Sequence, residues 1–131
     1  MTTTAVRYFS KSGNTKAIAD AIAEGAGVEA ISIASEPELT TYVDVLFLGG
    51  APYANIMAPE LRGYAERLNG EMVGRVVLFT TSNWSRRTVA ALRKMLTQKG
   101  IAVEGEDFYA HMLRINSRLD AAREFGKRQS A

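Results

Sequence analysis

Two uninterrupted apolar runs, Val45-Leu46-Phe47-Leu48 and Val76-Val77-Leu78-Phe79, constrain the fold more than anything else in the chain. Strands without polar alternation are covered on both faces, and such strands belong to parallel sheets flanked by helices. The two runs sit in stretches that begin near Val43 and Arg75. Three more apolar stretches begin near Thr4, Val28 and Ile101, giving five expected strands. Helical patterns alternate with them, near Thr15–Gly25, Ala58–Leu68, Arg86–Lys99 and Ser117–Arg128. Ile18, Ala21 and Ile22 share one face, as do Leu61, Tyr64, Ala65 and Leu68; Val89, Leu92 and Leu96 form a third stripe, and Leu119, Ala122 and Phe125 a fourth. Such stripes are read as core. The gap Ser35–Thr41 has room for one short helical turn at most.

Regular βαβ alternation predicts an α/β, doubly wound parallel sheet with helices on both faces. Ala5 to Phe9 is nearly as apolar as the two central runs. Val28 to Ile33 carries polar residues, and Ile101 to Tyr109 is interrupted by Glu104, Gly105, Glu106 and Asp107, so both are expected at edges. The strand order is then 2-1-3-4-5. At 131 residues, the chain is expected to form one domain over 1–131.

Several functions are excluded by what the residues lack. With no cysteine, there are no disulfides, thiolate metal sites or cysteine nucleophiles. Neither G-x-G-x-x-G nor G-x-x-x-x-G-K-[ST] occurs, which removes the usual dinucleotide and P-loop sites. A phospho-receiver domain needs acidic residues at the ends of strands one and three; here those ends read Phe9-Ser10-Lys11 and Leu48-Gly49-Gly50. His111, the one histidine, has no serine or cysteine partner in a motif and is read as structural or surface. No catalytic residue and no metal site are expected. The start Met1-Thr2-Thr3-Thr4 lacks a signal-peptide pattern, and Val45–Pro59 is broken by Gly49-Gly50, Pro52 and Asn55, so it is no membrane span. A cytoplasmic location without membrane partners is expected. Net charge is +2, with acidic residues in excess up to Leu61 and basic ones from Arg62 onward. Arg86, Arg87 and Arg123 lie either on solvated helix faces or on a docking surface for an acidic partner. Without a nucleic-acid motif or interleaved aromatics, nucleic acid is not expected as a partner.

Ser10-Lys11-Ser12-Gly13-Asn14-Thr15 joins the first strand to the first helix. A helix N-terminus offers unpaired N–H groups and a positive dipole end, which suit phosphate. Gly13 permits close backbone approach, and Ser10, Ser12 and Thr15 carry hydroxyl donors. The same residues also suit a plain capped turn, and both readings stand at this point. In a doubly wound sheet, ligands bind beyond the carboxyl ends of the strands, where strands one and three diverge. Ser10–Thr15, Gly49–Ala58 and Thr80–Arg86 reach that end. Each is rich in glycine, hydroxyl or amide groups.

Tyr8-Phe9-Ser10-Lys11-Ser12-Gly13-Asn14-Thr15 resembles the phosphate loop of flavodoxins, and 2-1-3-4-5 is their strand order. Asp44 to Tyr53 is similar to their third strand and the loop beside the flavin. Thr80-Thr81-Ser82-Asn83-Trp84 occupies the place of the second ring loop, and Ala121 to Arg128 resembles their closing helix. The likeness spans essentially the whole chain and matches the short-chain type. It implies FMN. The phosphate is then expected on Ser10, Lys11, Ser12, Gly13, Asn14 and Thr15, with the ring between Ala51, Pro52, Tyr53, Ala54 and Asn55 on one side and Thr81, Ser82, Asn83 and Trp84 on the other. Tyr53 and Trp84 are candidate stacking residues; the alternatives are a turn tyrosine and a helix-entry tryptophan.

Two departures from the resemblance stand out. The peptide implied to turn its carbonyl toward flavin N5 is Ala54-Asn55, where many flavodoxins place glycine first. Alanine reaches positive φ at greater cost, so weaker stabilisation of the one-electron-reduced flavin is expected. The chain is also slightly basic where flavodoxins are commonly acidic. Arginine near the ring, at Arg86 or Arg87, would make the low-potential couple less reducing. The resemblance implies an FMN-binding electron-transfer protein working between redox protein partners, a reductase and an acceptor. The alternatives are a small FMN-dependent NAD(P)H/quinone reductase and a flavin-free binding or regulatory module.

Overall fold

The computed structural model describes residues 2–53 and 56–131. Its strands are β1 (Thr4–Phe9), β2 (Ala30–Ser32), β3 (Val43–Gly50), β4 (Pro52–Tyr53), β5 (Ile56–Met57), β6 (Val73–Ser82) and β7 (Phe108–His111). The helices are α1 (Asn14–Ala26), α2 (Pro59–Arg67), α3 (Arg87–Gln98) and α4 (Leu119–Gln129). The main sheet has the order β2-β1-β3-β6-β7, and every pair in it is parallel. Counting only its five strands, this is the expected 2-1-3-4-5. Within the expected loop Gly49–Ala58, β4 and β5 pair antiparallel as a separate two-stranded sheet.

Alternation along the central strands feeds two cores. Leu46, Leu48, Val76 and Leu78 face α2 and α3, packing on Leu61, Tyr64, Leu92 and Leu96. Val45, Phe47, Val77 and Phe79 face α1 and α4, packing on Ile18, Ile22 and Phe125. Both strands are buried on both sides, as their uninterrupted apolar sequences require. Helices α1 and α4 meet at glycines. A Cβ on Gly126 would lie 2.1 Å from the Ile22 carbonyl oxygen, and one on Gly25 would lie 1.9 Å from that of Arg123.

Two expected strands shift. β2 starts at Ala30 rather than near Val28, because the Val28 N–H donates to the Ala23 carbonyl and closes the end of α1. The last strand does not run from Ile101. Val103 makes one isolated bridge to Val76, and the ladder resumes only at Phe108. Between them the acidic residues are drawn into ion pairs: Glu104 with Arg75, Glu106 with Arg128, and Asp107 with Arg86 and Arg93. Ser35–Thr41 contains no helix; turns from Ser32 to Ser35 and Glu36 precede it. Among the described residues, no helix is long and apolar enough to cross a membrane.

Candidate functional site

Strands β1 and β3 lie side by side, but their following helices pack on opposite faces of the sheet. The crevice this opens is at their carboxyl ends. α1 begins there at Asn14. Gly13 is its N-cap with φ of 91°, and no side chain caps the helix. The Ser10 hydroxyl instead accepts the Gly13 N–H at 3.0 Å, closing the loop on itself. The first-turn N–H groups of this 13-residue helix therefore face outward without a side-chain acceptor. No acidic residue lies in that turn. The plain capped-turn reading thus lacks its cap.

The second loop is latched to the first. The Tyr53 hydroxyl accepts the Lys11 N–H at 2.8 Å, and the Lys11 ammonium lies 4.7 Å from the Tyr53 ring centre. Phe9 meets the same ring edge-on, with centroids 6.3 Å apart. Ala54 and Asn55, including the peptide expected beside flavin N5, lie outside the described residues.

Buried hydroxyls at the end of β6 fix the third loop. Thr81 shares a hydrogen bond of 2.7 Å with Thr15 at the start of α1, and Thr80 donates to the Gly50 carbonyl at 2.6 Å. Beyond them the chain turns sharply. Trp84 has φ of 72°, a conformation costly for a residue with a Cβ. It is held there by its N–H, which donates to the Tyr109 hydroxyl at 2.8 Å; that hydroxyl in turn donates to the Ser82 carbonyl at 3.0 Å. His111 Nδ1 accepts the Leu113 N–H at 3.1 Å, so in the neutral ring the proton sits on Nε2, 2.9 Å from Asn83 Oδ1.

These loops enclose a cavity of about 270 Å³. Ser12 and Asn14 line it from the first loop, Ala51, Pro52 and Tyr53 from the second, and Thr81, Ser82 and Asn83 from the third. Of the other expected site residues, Ser10, Lys11 and Gly13 do not line the cavity but bond within and between the loops, and Thr15 is buried against Thr81. Trp84 lies outside the lining and is 77% exposed, its ring 4.7 Å from that of His111. Arg86 and Arg87 do not line the cavity either; Arg86 is paired with Asp107 at 2.7 Å. The sequence reading missed Ser85 and Met112, which do line it. Met112 follows β7, the short edge strand, and reaches the cavity only through the pairing of that strand with β6.

A five-stranded parallel sheet of this order, with helices on both faces and its crevice at the β1/β3 divergence, is a flavodoxin-like fold. No protein-family model matches the chain, and no curated protein matches it. Among solved structures, it is similar to a flavodoxin from the domain Archaea, with 18% identity, a TM-score of 0.80 and coverage of 97% of this chain and 95% of that one. It is similar too to the flavodoxin, WrbA-like protein of Agrobacterium tumefaciens (21% identity, TM-score 0.78, 98% and 94% covered). Flavodoxin 2 of Bacillus cereus matches at 16% identity and a TM-score of 0.71, with 95% and 94% covered.

Proposed function

We propose that this chain binds FMN and carries electrons between redox partner proteins, a reductase and an acceptor, in the cytoplasm. The observation that carries the reading is the uncapped N-terminus of α1, opening onto a cavity walled by three loops at the strand divergence. Flavodoxins among the similar structures support it.

The residues fit the group. The first-turn N–H groups of α1, with the side chains of Ser12 and Asn14, would hold the phosphate by hydrogen bonds and the helix dipole. Tyr53 offers an aromatic wall whose orientation is fixed by the Lys11 N–H. Thr81, Ser82 and Asn83 would border the ring edge on one side, and Met112 lines the cavity on another. When bound, FMN supplies the redox chemistry, while the protein supplies position and electrostatics. Among the described residues, the cavity lining carries no carboxylate and no histidine.

The test is to purify the protein, release its chromophore and identify it by chromatography. FMN is the expected result, with NAD(P)H oxidation in the presence of a quinone no faster than free FMN gives. Sustained NAD(P)H turnover would assign the site to a reductase. A colourless protein that takes up no added FMN would leave a flavin-free module.

A further inference from the structure

The cavity end of the molecule has an unusual surface. No Asp or Glu occurs between Ser10 and Ala19, between Val45 and Pro59, between Val73 and Val103, or between Phe108 and Leu119. These stretches include every loop around the cavity. The cations there are Lys11, Lys16, Arg86, Arg87, Arg114 and Arg118. Lys16 is paired with Asp20, and Arg86 shares Asp107 with Arg93. Arg118 donates to the Tyr109 carbonyl and lies over the Phe108 ring, and among the described residues it has no ion pair. Among the described residues, Arg87 and Arg114 have no ion pair.

Inside this cationic rim lie exposed apolar side chains. Trp84 is 77% exposed, Leu113 83% and Met112 42%. Trp84 and Leu113 flank a groove of about 470 Å³ with His111 and Arg114, and the groove meets the cavity at Asn83. The strained φ of Trp84, pinned by Tyr109, holds an indole out in water where it buries little of its own surface. Strain retained at an exposed aromatic points to use rather than stability. Trp, Met and Arg are the residues enriched at protein interfaces, and Trp and Arg dominate their binding energy.

We propose that this face docks a protein partner whose own docking face is acidic, with Trp84 and Leu113 as apolar anchors and Arg87, Arg114 and Arg118 as the rim that orients it. The occupant follows from charge complementarity: Asp107 is already shared by two arginines, and among the described residues Arg87, Arg114 and Arg118 pair with no carboxylate. The inference rests on the electron-carrier reading, since it makes the partner a redox protein and places it beside the cavity.

The test is titration of the isotope-labelled protein, as purified, with an acidic [2Fe–2S] ferredoxin, a basic c-type cytochrome and NADP⁺, followed by NMR. The ferredoxin is expected to shift the Trp84 indole N–H and the Leu113 and Arg114 amides at low ionic strength. The shifts fade as salt is added, and the cytochrome leaves these signals in place. Arg87→Gln with Arg114→Gln weakens ferredoxin binding about fivefold. Trp84→Gly, which glycine's tolerance of positive φ keeps folded, weakens it about tenfold or more. Equal binding of the cytochrome, shifts that map elsewhere, or no loss in either variant would overturn the proposal. Shifts at Arg114 with NADP⁺ and none with ferredoxin would also overturn it, in favour of a nucleotide site. The readout is docking, so failure to bind FMN would sink the electron-carrier reading and leave a docking result standing by itself.

Discussion

Lys11 and Tyr53 hold each other twice: the backbone N–H of Lys11 donates to the Tyr53 hydroxyl at 2.8 Å, and the Lys11 ammonium sits 4.7 Å from the Tyr53 ring centre. One side chain thus ties the loop that would take a phosphate to the loop that would take a flavin ring. Tyr53→Phe removes the hydroxyl and keeps the ring. A single hydrogen bond of this kind contributes about 1 kcal/mol, so FMN affinity is expected to fall roughly fivefold with the fold intact. Quenching of flavin fluorescence on titration measures it, with circular dichroism as the control.

Thr15 and Thr81 are each 1% exposed and bonded to each other at 2.7 Å. Thr15→Val strands the Thr81 hydroxyl in the core at a cost of roughly 1–3 kcal/mol. The double variant Thr15→Val/Thr81→Val is expected to lose less than the sum of the two single losses. Urea unfolding of the four proteins closes the cycle.

Two glycines separate conformational from steric cost. Gly13 has φ of 91° with open space where a Cβ would stand, so Gly13→Ala costs about 1–2 kcal/mol through the backbone alone. At Gly126 the added Cβ would meet the Ile22 carbonyl oxygen at 2.1 Å, and only separation of α1 from α4 relieves it. Gly126→Ala is expected to be the more damaging of the two, by thermal unfolding, and Gly13→Ala the more damaging to FMN binding.

Trp84→Gly is expected to stabilise the protein by about 1 kcal/mol, because glycine adopts positive φ without a Cβ penalty and the exposed indole contributes little packing. A rise in melting temperature is the readout.

Asp44 gives the pH dependence. Its carboxylate accepts the Thr3 N–H at 2.8 Å and the Thr3 hydroxyl at 3.1 Å, and the backbone hydrogen bond, the larger cause, holds its pKa below the usual carboxylate value. A group depressed in the folded state contributes stability above its unfolded pKa and loses it as pH falls through the folded one. The clamp on the chain ahead of β1 is therefore expected to loosen in acid, seen as a lower protection factor (observed exchange corrected for its intrinsic pH dependence) for the Thr3 amide, and to be absent at all pH values in Asp44→Ala.

The fold was legible wherever one strand or helix carries its own signal. Val45–Leu48 and Val76–Phe79 announced central strands, and the helix stripes matched the buried faces of α1 to α4. The fifth strand was misplaced because Ile101 and Val103 alternate as a strand would, while the Arg75, Arg86, Arg93 and Arg128 pairs that pull Glu104 to Asp107 out of the ladder come from three other elements. Loop residues around the cavity were legible from composition. Met112 and the latch from Tyr53 to Lys11 were not, because each depends on a contact made only after the sheet has formed. The positive φ of Trp84 likewise has no sequence signature.

The central claim is that the N-terminus of α1 holds a phosphate. Parallel titration of the flavin-free protein with FMN and with riboflavin tests it most directly, since the two differ only in that group. FMN is expected to bind one per chain and at least about a hundredfold more tightly than riboflavin, given charge-assisted hydrogen bonds of roughly 1.5–3 kcal/mol each. Equal affinity for the two, or no binding of either, would contradict the account.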